Sequence, residues 1–124
     1  MTGDPRPLPA DSTDQLRQWA VNLVPPLAAL LDLQVTYALV DHACRTGDTL
    51  TGHLVHAGFL LLTLVMGGLA WLSWSDAGAI AATAGGDPAA RSRFMALVGL
   101  MISALSALTV AAQWLPTFFL HPCQ

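Results

Sequence analysis

The chain has 124 residues but no lysine and no glutamate, and its charged side chains are five arginines and eight aspartates. Charged residues make up 10% of the sequence, against about 25% in an ordinary soluble domain. The shortage of basic side chains excludes a nucleic-acid-binding surface. The apolar content of 54% excludes an intrinsically disordered chain. The length allows a single domain.

The sequence also lacks the local motifs of the common enzyme classes. It contains no glycine-rich phosphate loop, no nucleophile elbow and no zinc-binding helix with the His-Glu pattern. The segments between the apolar stretches are too short to build a catalytic domain outside a membrane. We therefore expect a protein that is not an enzyme.

Three long stretches of the chain are almost free of charge. Asp32 is the only charged residue between Trp19 and Val40, and none occurs in 54–74 or 94–120. Each stretch is long enough to cross about 30 Å of hydrocarbon as a helix. A buried soluble bundle is the alternative, but the third stretch has no polar stripe. The sequence predicts an all-α bundle of three transmembrane helices in a lipid bilayer, with spans near 19–43, 50–74 and 92–118.

The N-terminal region raises a question of helix continuity. Residues 1–12 read as a flexible tail, and 13–124 as a single transmembrane domain. Ser12 and Gln15 fit a capping box, which predicts a helix start near Thr13. Pro25-Pro26 then indicates an interfacial helix that bends into a shorter span, with a single kinked helix as the alternative. The glycine-rich loop 75–90 is expected to be flexible.

The placement of arginine predicts the orientation in the membrane. Arg6 and Arg17 precede the first span, Arg91 and Arg93 precede the third, and only Arg45 lies in the first loop. The positive-inside rule then puts the N-terminus in the cytoplasm and the C-terminus in the periplasm of a bacterial inner membrane. Tryptophans are expected at the cytoplasmic interface (Trp19, Trp71, Trp74) and at the outer one (Trp114).

Both cysteines fall on the predicted outer side. Cys44 follows the first span and Cys123 follows the third. The periplasm is oxidising, so a disulfide that joins the outer ends of these helices is predicted. Two unpaired thiols near the membrane surface are the alternative.

The four histidines also lie on that side of the membrane. His42 ends the first span, His53 and His56 open the second, and His121 follows the third. Imidazole is a ligand for copper and for haem iron, so these side chains are candidates for a haem or copper site, with His53 and His56 first. The alternative is that they lie at the lipid headgroups or contact a partner.

Asp32 is the only formal charge inside a predicted span. An ionised aspartate there costs about 3 kcal/mol on insertion scales, so we expect it to face the bundle or a partner. Helical geometry places Asp32 and Thr36 on one face, and Gln34 and Tyr37 on another. A proton or ion relay is one interpretation. A hydrogen-bonded contact between helices, for example with Gln113, is the other.

Small residues predict where helices approach one another. Gly99, Ser103 and Ala107 recur at four-residue spacing in the third span, and Gly67-Gly68 offers a flat surface in the second. Such faces allow close helix packing in lipid. The spacing leaves open whether the neighbour belongs to this chain or to another.

Three segments together carry a resemblance to a known family. They are 37–47 (YALVDHACRTG), 53–56 (HLVH) and 113–124 (QWLPTFFLHPCQ). The chain resembles a group of small, uncharacterised bacterial inner-membrane proteins, some of which are associated with haem-copper cytochrome c oxidase systems, over most of 19–124. Asp41 and His42 depart from the Pro-Trp of that group, which weakens a ligand role for His42.

The resemblance and the composition lead to three functional hypotheses. The first is a non-enzymatic accessory or assembly subunit of a respiratory oxidase complex, packed against larger membrane subunits. The second is a haem- or copper-binding redox or metal-delivery protein that uses His53 and His56. The third is a small transporter or ion-conducting oligomer that uses Asp32.

Overall fold

The computed structural model describes residues 9–78 and 88–123. Among these residues there is no strand, and three long helices pack side by side. The helices are α1 (Pro9–Thr46), α2 (Leu50–Gly78) and α3 (Pro88–Trp114), followed by a short 3-10 helix (Leu115–Phe118). All three are long and apolar enough to cross a membrane, over Ser12–Thr46, Leu50–Asp76 and Ala90–Phe118. The predicted all-α bundle of three spans is confirmed.

Helix α1 runs without a break through Pro25-Pro26. There is no separate interfacial helix, and the alternative of one helix is correct. The two prolines remove the N–H donors for the carbonyls of Val21 and Asn22. The Pro25 ring is fully buried, and the Val21 carbonyl oxygen lies 3.4 Å from the position that a Cβ would take on Gly99 of α3. Packing against α3 therefore holds the helix where its own hydrogen bonds are missing.

The ends of the helices differ from the predicted ones. Helix α1 begins at Pro9, four residues before the expected start, so Ser12 lies within the first turn rather than at the cap. Proline is well tolerated in a first turn, because its missing N–H has no partner there. The rest of the predicted tail (1–8) and most of the predicted flexible loop (79–87) lie outside the described residues.

The turn between α1 and α2 is built by local polar chemistry. Gly47 adopts a φ of +72° and donates its N–H to the Ala43 carbonyl at 2.8 Å, which closes α1. Asp48 caps α2 by accepting from the N–H of Leu50 at 3.0 Å and from the hydroxyl of Thr51. The hydrogen bond from the Thr51 hydroxyl is the main reason that the pKa of Asp48 lies below its usual value.

The small residues of α3 are used within this chain. A Cβ on Gly99 would lie 2.9 Å from Val21 Cγ2 of α1, and one on Gly67 would lie 3.3 Å from Ser103 Cβ. Gly99 thus lets α1 approach α3, and Gly67 lets α2 approach α3. Gly68 has nothing within 4 Å of its would-be Cβ, and Ala107 is half-buried.

A disulfide closes one end of the bundle. Cys44 and Cys123 are bonded, with a Cα–Cα distance of 5.1 Å, as the sequence predicted. We call this the disulfide end. At the other end, which we call the arginine end, the Arg93 guanidinium lies 5.4 Å from the ring centroid of Trp74, which contacts Trp71. A cation over an indole face at this end links α3 to α2.

Candidate functional site

Two ionisable side chains meet in the interior of the bundle. Nδ1 of His56 on α2 lies 2.8 Å from Oδ2 of Asp32 on α1. The side chain of Asp32 is 0% exposed and that of His56 is 1% exposed. Asp32 therefore makes the predicted contact between helices, but its partner is His56 and not Gln113. His56 is buried inside the bundle, where it faces Asp32.

The two faces of α1 are divided as helical geometry predicts. Asp32 and Thr36 point inward, one turn apart, whereas Gln34 and Tyr37 are exposed, Tyr37 by 79%. Asp41 is also exposed, and it forms an ion pair with Arg45 at 3.0 Å. Of these α1 side chains, only Asp32 brings a titratable group into the interior.

Aromatic rings cover the pair on the side of α3. The His56 ring stacks on Trp114 with 6.2 Å between centroids and 24° between planes. Trp114 donates its indole N–H to Nδ1 of His53 at 2.8 Å, and Phe118 lies 5.0 Å from the His53 ring. Since an accepting Nδ1 carries no proton, His53 is neutral in this geometry, with its proton on Nε2.

Several buried polar atoms around the pair have no hydrogen-bond partner among the described residues. They are Asp32 Oδ1, Thr36 Oγ1, His56 Nε2 and Gln113 Oε1. Leaving such groups unpaired in an apolar interior costs about 1–3 kcal/mol each. Buried polar atoms without partners mark places where water or another group completes the network.

The pair has a defined proton chemistry. One proton held between the carboxylate and the imidazole gives no net charge, either as an ion pair or as two neutral groups. Losing that proton leaves one negative charge in the interior, and gaining a second leaves one positive charge.

A groove at the disulfide end leads toward the pair. It lies between α1, the start of α2 and the segment after α3, with a volume of about 280 Å³. His42 and His121 line it, as does Asp48. Thr36 is the lining residue of α1 farthest from the disulfide, and it stands one helical turn from Asp32. The groove thus extends to within one helical turn of Asp32.

The four histidines are not brought together. His53 and His56 share Trp114, whereas His42 and His121 are exposed and line the groove. Among the described residues, no group of three or more His, Cys, Asp or Glu side chains is placed to hold a metal ion. Both cysteines are in the disulfide, which removes them as ligands.

The two leading histidines do not offer haem or copper an open nitrogen in this packing. Nδ1 of His53 accepts from Trp114, and its other nitrogen carries the proton. Nδ1 of His56 faces Asp32, as in histidines oriented for a metal, but its Nε2 is buried. The haem or copper hypothesis stays a prediction for which these residues provide a poor fit.

The transport hypothesis requires a polar path across the bundle. On the side of the arginine end, the α1 residues that precede Asp32 are tightly packed, with Pro25, Ala28 and Ala29 all buried. The hydroxyl of Thr63 on α2 donates to the carbonyl of Leu60 at 2.8 Å. Ser103 and Ser106 of α3 are also buried on this side, and neither carries a titratable group. The transport hypothesis stays a prediction.

The partnership of Asp32 and His56 was missed by reasoning from the sequence. A signal was present, because an aspartate inside a span needs a partner and His56 stands six residues inside the next helix. Assigning all four histidines to the membrane boundary hid that signal.

Comparison of the chain with protein-family models, with curated protein sequences and with solved structures finds no match. The fold and the candidate site are therefore the basis for assigning the class of protein. The protein is a three-span helical membrane bundle, closed by a disulfide at one end, with a carboxylate–imidazole pair in its interior.

Proposed function

We propose that this protein is a non-enzymatic accessory or assembly subunit of a bacterial respiratory membrane complex, of the haem-copper oxidase system. In this proposal it lies in the inner membrane with its N-terminus in the cytoplasm and its disulfide in the periplasm. Nearly all of the chain lies in the predicted spans, so the proposed role is one of contacts with other proteins inside the membrane.

One observation carries the proposal: a groove on the flank of the bundle, with polar side chains along its α3 wall. The groove lies between α1 and α3, with a volume of about 390 Å³. Pro26 and Ala29 line it on α1, and Ser106, Thr109 and Gln113 line it on α3. Gln113 Oε1 is buried without a partner among the described residues.

A concave surface of this kind suits the side chains of a neighbouring helix. Its lining is mostly apolar, with Leu30, Ile102 and Leu105 beside the polar residues. Helices associate in lipid through close packing and through hydrogen bonds between polar side chains. The small residues of α3 are already used within the chain at Gly99 and Ser103. We therefore assign the flank groove as the surface for a larger membrane subunit.

The respiratory setting rests on the resemblance of 37–47, 53–56 and 113–124 to proteins associated with oxidase systems. The orientation rests on arginine placement. Four of the five arginines flank the predicted cytoplasmic side, and Arg93 lies at the arginine end of the bundle.

The test is a pulldown of the tagged protein in mild detergent, combined with photo-crosslinking. A photoreactive residue replaces Leu105, which lines the flank groove and is 62% exposed. The matched control replaces Leu108, which lies on the same helix, is 67% exposed and does not line the groove. Mass spectrometry, an optical spectrum and metal content are read on the same eluate.

We expect oxidase subunits in the eluate and a crosslink to one of them from position 105 but not from 108. Any haem in the eluate is then assigned to the partner. A protein that purifies alone, with only lipid adducts at both positions, contradicts the proposal. A lone protein with bound haem or copper replaces it with the second hypothesis.

A further inference from the structure

We propose that Asp32 and His56 form a proton-binding centre that exchanges protons with the disulfide end of the bundle. This is a function of the chain itself, which does not depend on the identity of a partner subunit. The carrying observation is the position of the fully buried pair one helical turn from Thr36, which lines the groove at the disulfide end.

The pair is suited to hold and release a proton. Asp32 and His56 are in contact through one oxygen and one nitrogen, which leaves Oδ1 and Nε2 without partners among the described residues. When the pair releases its proton, one O–H or N–H bond breaks and the proton passes to water, with no change in electron count. Histidine is the side chain that makes such exchanges most readily near neutral pH.

Few other charges act on the pair. On α2, His53 is one turn away and neutral in its bond with Trp114. On α3, the neutral side chains of Gln113 and Trp114 stand at this level, and the described charges are near its start. Of the other titratable groups at this end, His42 and His121 are exposed and line the groove, Asp48 is half-buried in its wall, and Asp41 is exposed on α1.

The route to the disulfide end is short and polar. Thr36 reaches the groove and has a buried hydroxyl with no partner among the described residues. A hydroxyl both donates and accepts, so Thr36 can connect water in the groove to Asp32 one turn away. A groove of about 280 Å³ has room for several water molecules, each of which occupies about 30 Å³.

On the side of the arginine end, the buried α1 residues nearest the pair are apolar. Pro25, Ala28 and Ala29 are buried on α1, and the hydroxyl of Thr63 on α2 donates to a carbonyl of its own helix. The buried hydroxyls of Ser103 and Ser106 also lie on this side, on α3. Thr36 is therefore the hydroxyl that joins the pair to the groove at the disulfide end, and Thr63 is its comparison.

The test uses Trp114 as a reporter, because its indole stacks on the His56 ring and a protonated imidazole quenches indole emission. The other tryptophans (Trp19, Trp71, Trp74) are replaced by phenylalanine, and the protein is placed in lipid nanodiscs. Emission is followed after stopped-flow pH jumps between about pH 5 and pH 9, the range over which histidine changes charge.

Substitutions at two buried threonines test which hydroxyl carries the proton to the pair. Thr36→Val should slow the fluorescence change by about tenfold or more, since a proton-relaying group contributes at least that much. Thr63→Val is the matched control, a buried threonine on the side of the arginine end, and should leave the rate unchanged. Thr36→Ser restores the hydroxyl and should restore the rate, which separates a relay from a fault in packing. His56→Gln should abolish the change.

Two results would overturn the proposal. One is a signal that persists in His56→Gln or is absent from the parent protein over this pH range. The other is equal slowing by Thr36→Val and Thr63→Val.

Discussion

At the residue scale, one contact between titratable side chains lies buried inside the described part of the bundle. Asp32 contacts His56 at 2.8 Å, and both side chains are buried. Burying two such groups is unfavourable, and their contact offsets that cost only when both are present. The contact therefore fixes which faces of α1 and α2 meet.

Removing one partner should be more harmful than removing both. We expect Asp32→Ala to lower the free energy of unfolding by about 3 kcal/mol or more, because it leaves His56 buried and unpaired. Replacing both residues by leucine should recover much of the loss. The measurement is unfolding of purified protein in mixed micelles, followed by tryptophan fluorescence, because the helices persist in the unfolded state.

Asp41→Ala provides the control for this series. Asp41 pairs with Arg45, one turn away on the same helix, and both side chains are exposed. Exposed ion pairs contribute little, so the variant should unfold as the wild type does. A double leucine variant less stable than Asp32→Ala would contradict the account of the pair.

At the element scale, the helices are arranged by small residues at crossing points. Gly99 lies against Val21 on α1, and Gly67 lies against Ser103 on α3. The absence of a side chain at each point sets the distance between helix axes. The same packing keeps α1 continuous across its two prolines.

Two glycine substitutions separate close packing from helix propensity. Gly99→Ala places a Cβ 2.9 Å from Val21 Cγ2, and overpacking of this kind costs about 1–3 kcal/mol. Gly68→Ala meets nothing within 4 Å, and it should leave stability unchanged or raise it by up to about 1 kcal/mol. The thermal midpoints of the two variants in the same detergent make the comparison.

The informative quantity is the difference in thermal midpoint between Gly99→Ala and Gly68→Ala. Equal effects would show that α1 and α3 move apart at no cost, which contradicts the close approach at Gly99. A selective loss in Gly99→Ala would confirm that the crossing of α1 and α3 is tightly packed.

How much of the fold and the site the sequence could predict depends on how far apart in the chain the interacting residues lie. The gaps between charges predict the three spans, because a membrane demands long apolar helices. The proline pair was misread, because its effect depends on α3, which is more than sixty residues away. The Asp32–His56 contact joins residues 24 apart, and local patterns do not specify how two helices cross.

At the scale of the whole molecule, the disulfide joins the first helix to the segment that follows the last. Cys44 and Cys123 are 79 residues apart in sequence, so the bond encloses most of the bundle. Ala43 and Pro122, their direct neighbours, line the groove at this end. The bond therefore stabilises the bundle and holds the wall of the groove.

Breaking the bond should have a moderate effect on stability. The chain-entropy relation gives about 4.5 kcal/mol for a loop of this length, but it assumes a random unfolded chain. A denatured membrane protein keeps its helices, so we expect about 2 kcal/mol for Cys44→Ser with Cys123→Ser. Unfolding of the double variant and of reduced wild type in the same micelles measures the loss.

The same variant tests whether the groove depends on the bond. If the disulfide holds the groove wall, the segment after Trp114 should exchange its backbone amides faster once the bond is removed, because only the 3-10 helix (Leu115–Phe118) then anchors it. Amides around Gly99, at the crossing of α1 and α3, should keep their protection and serve as the internal reference. Equal protection of the terminal segment with and without the bond would mean that packing of Trp114 and Phe118 against His53 is enough to hold this end together.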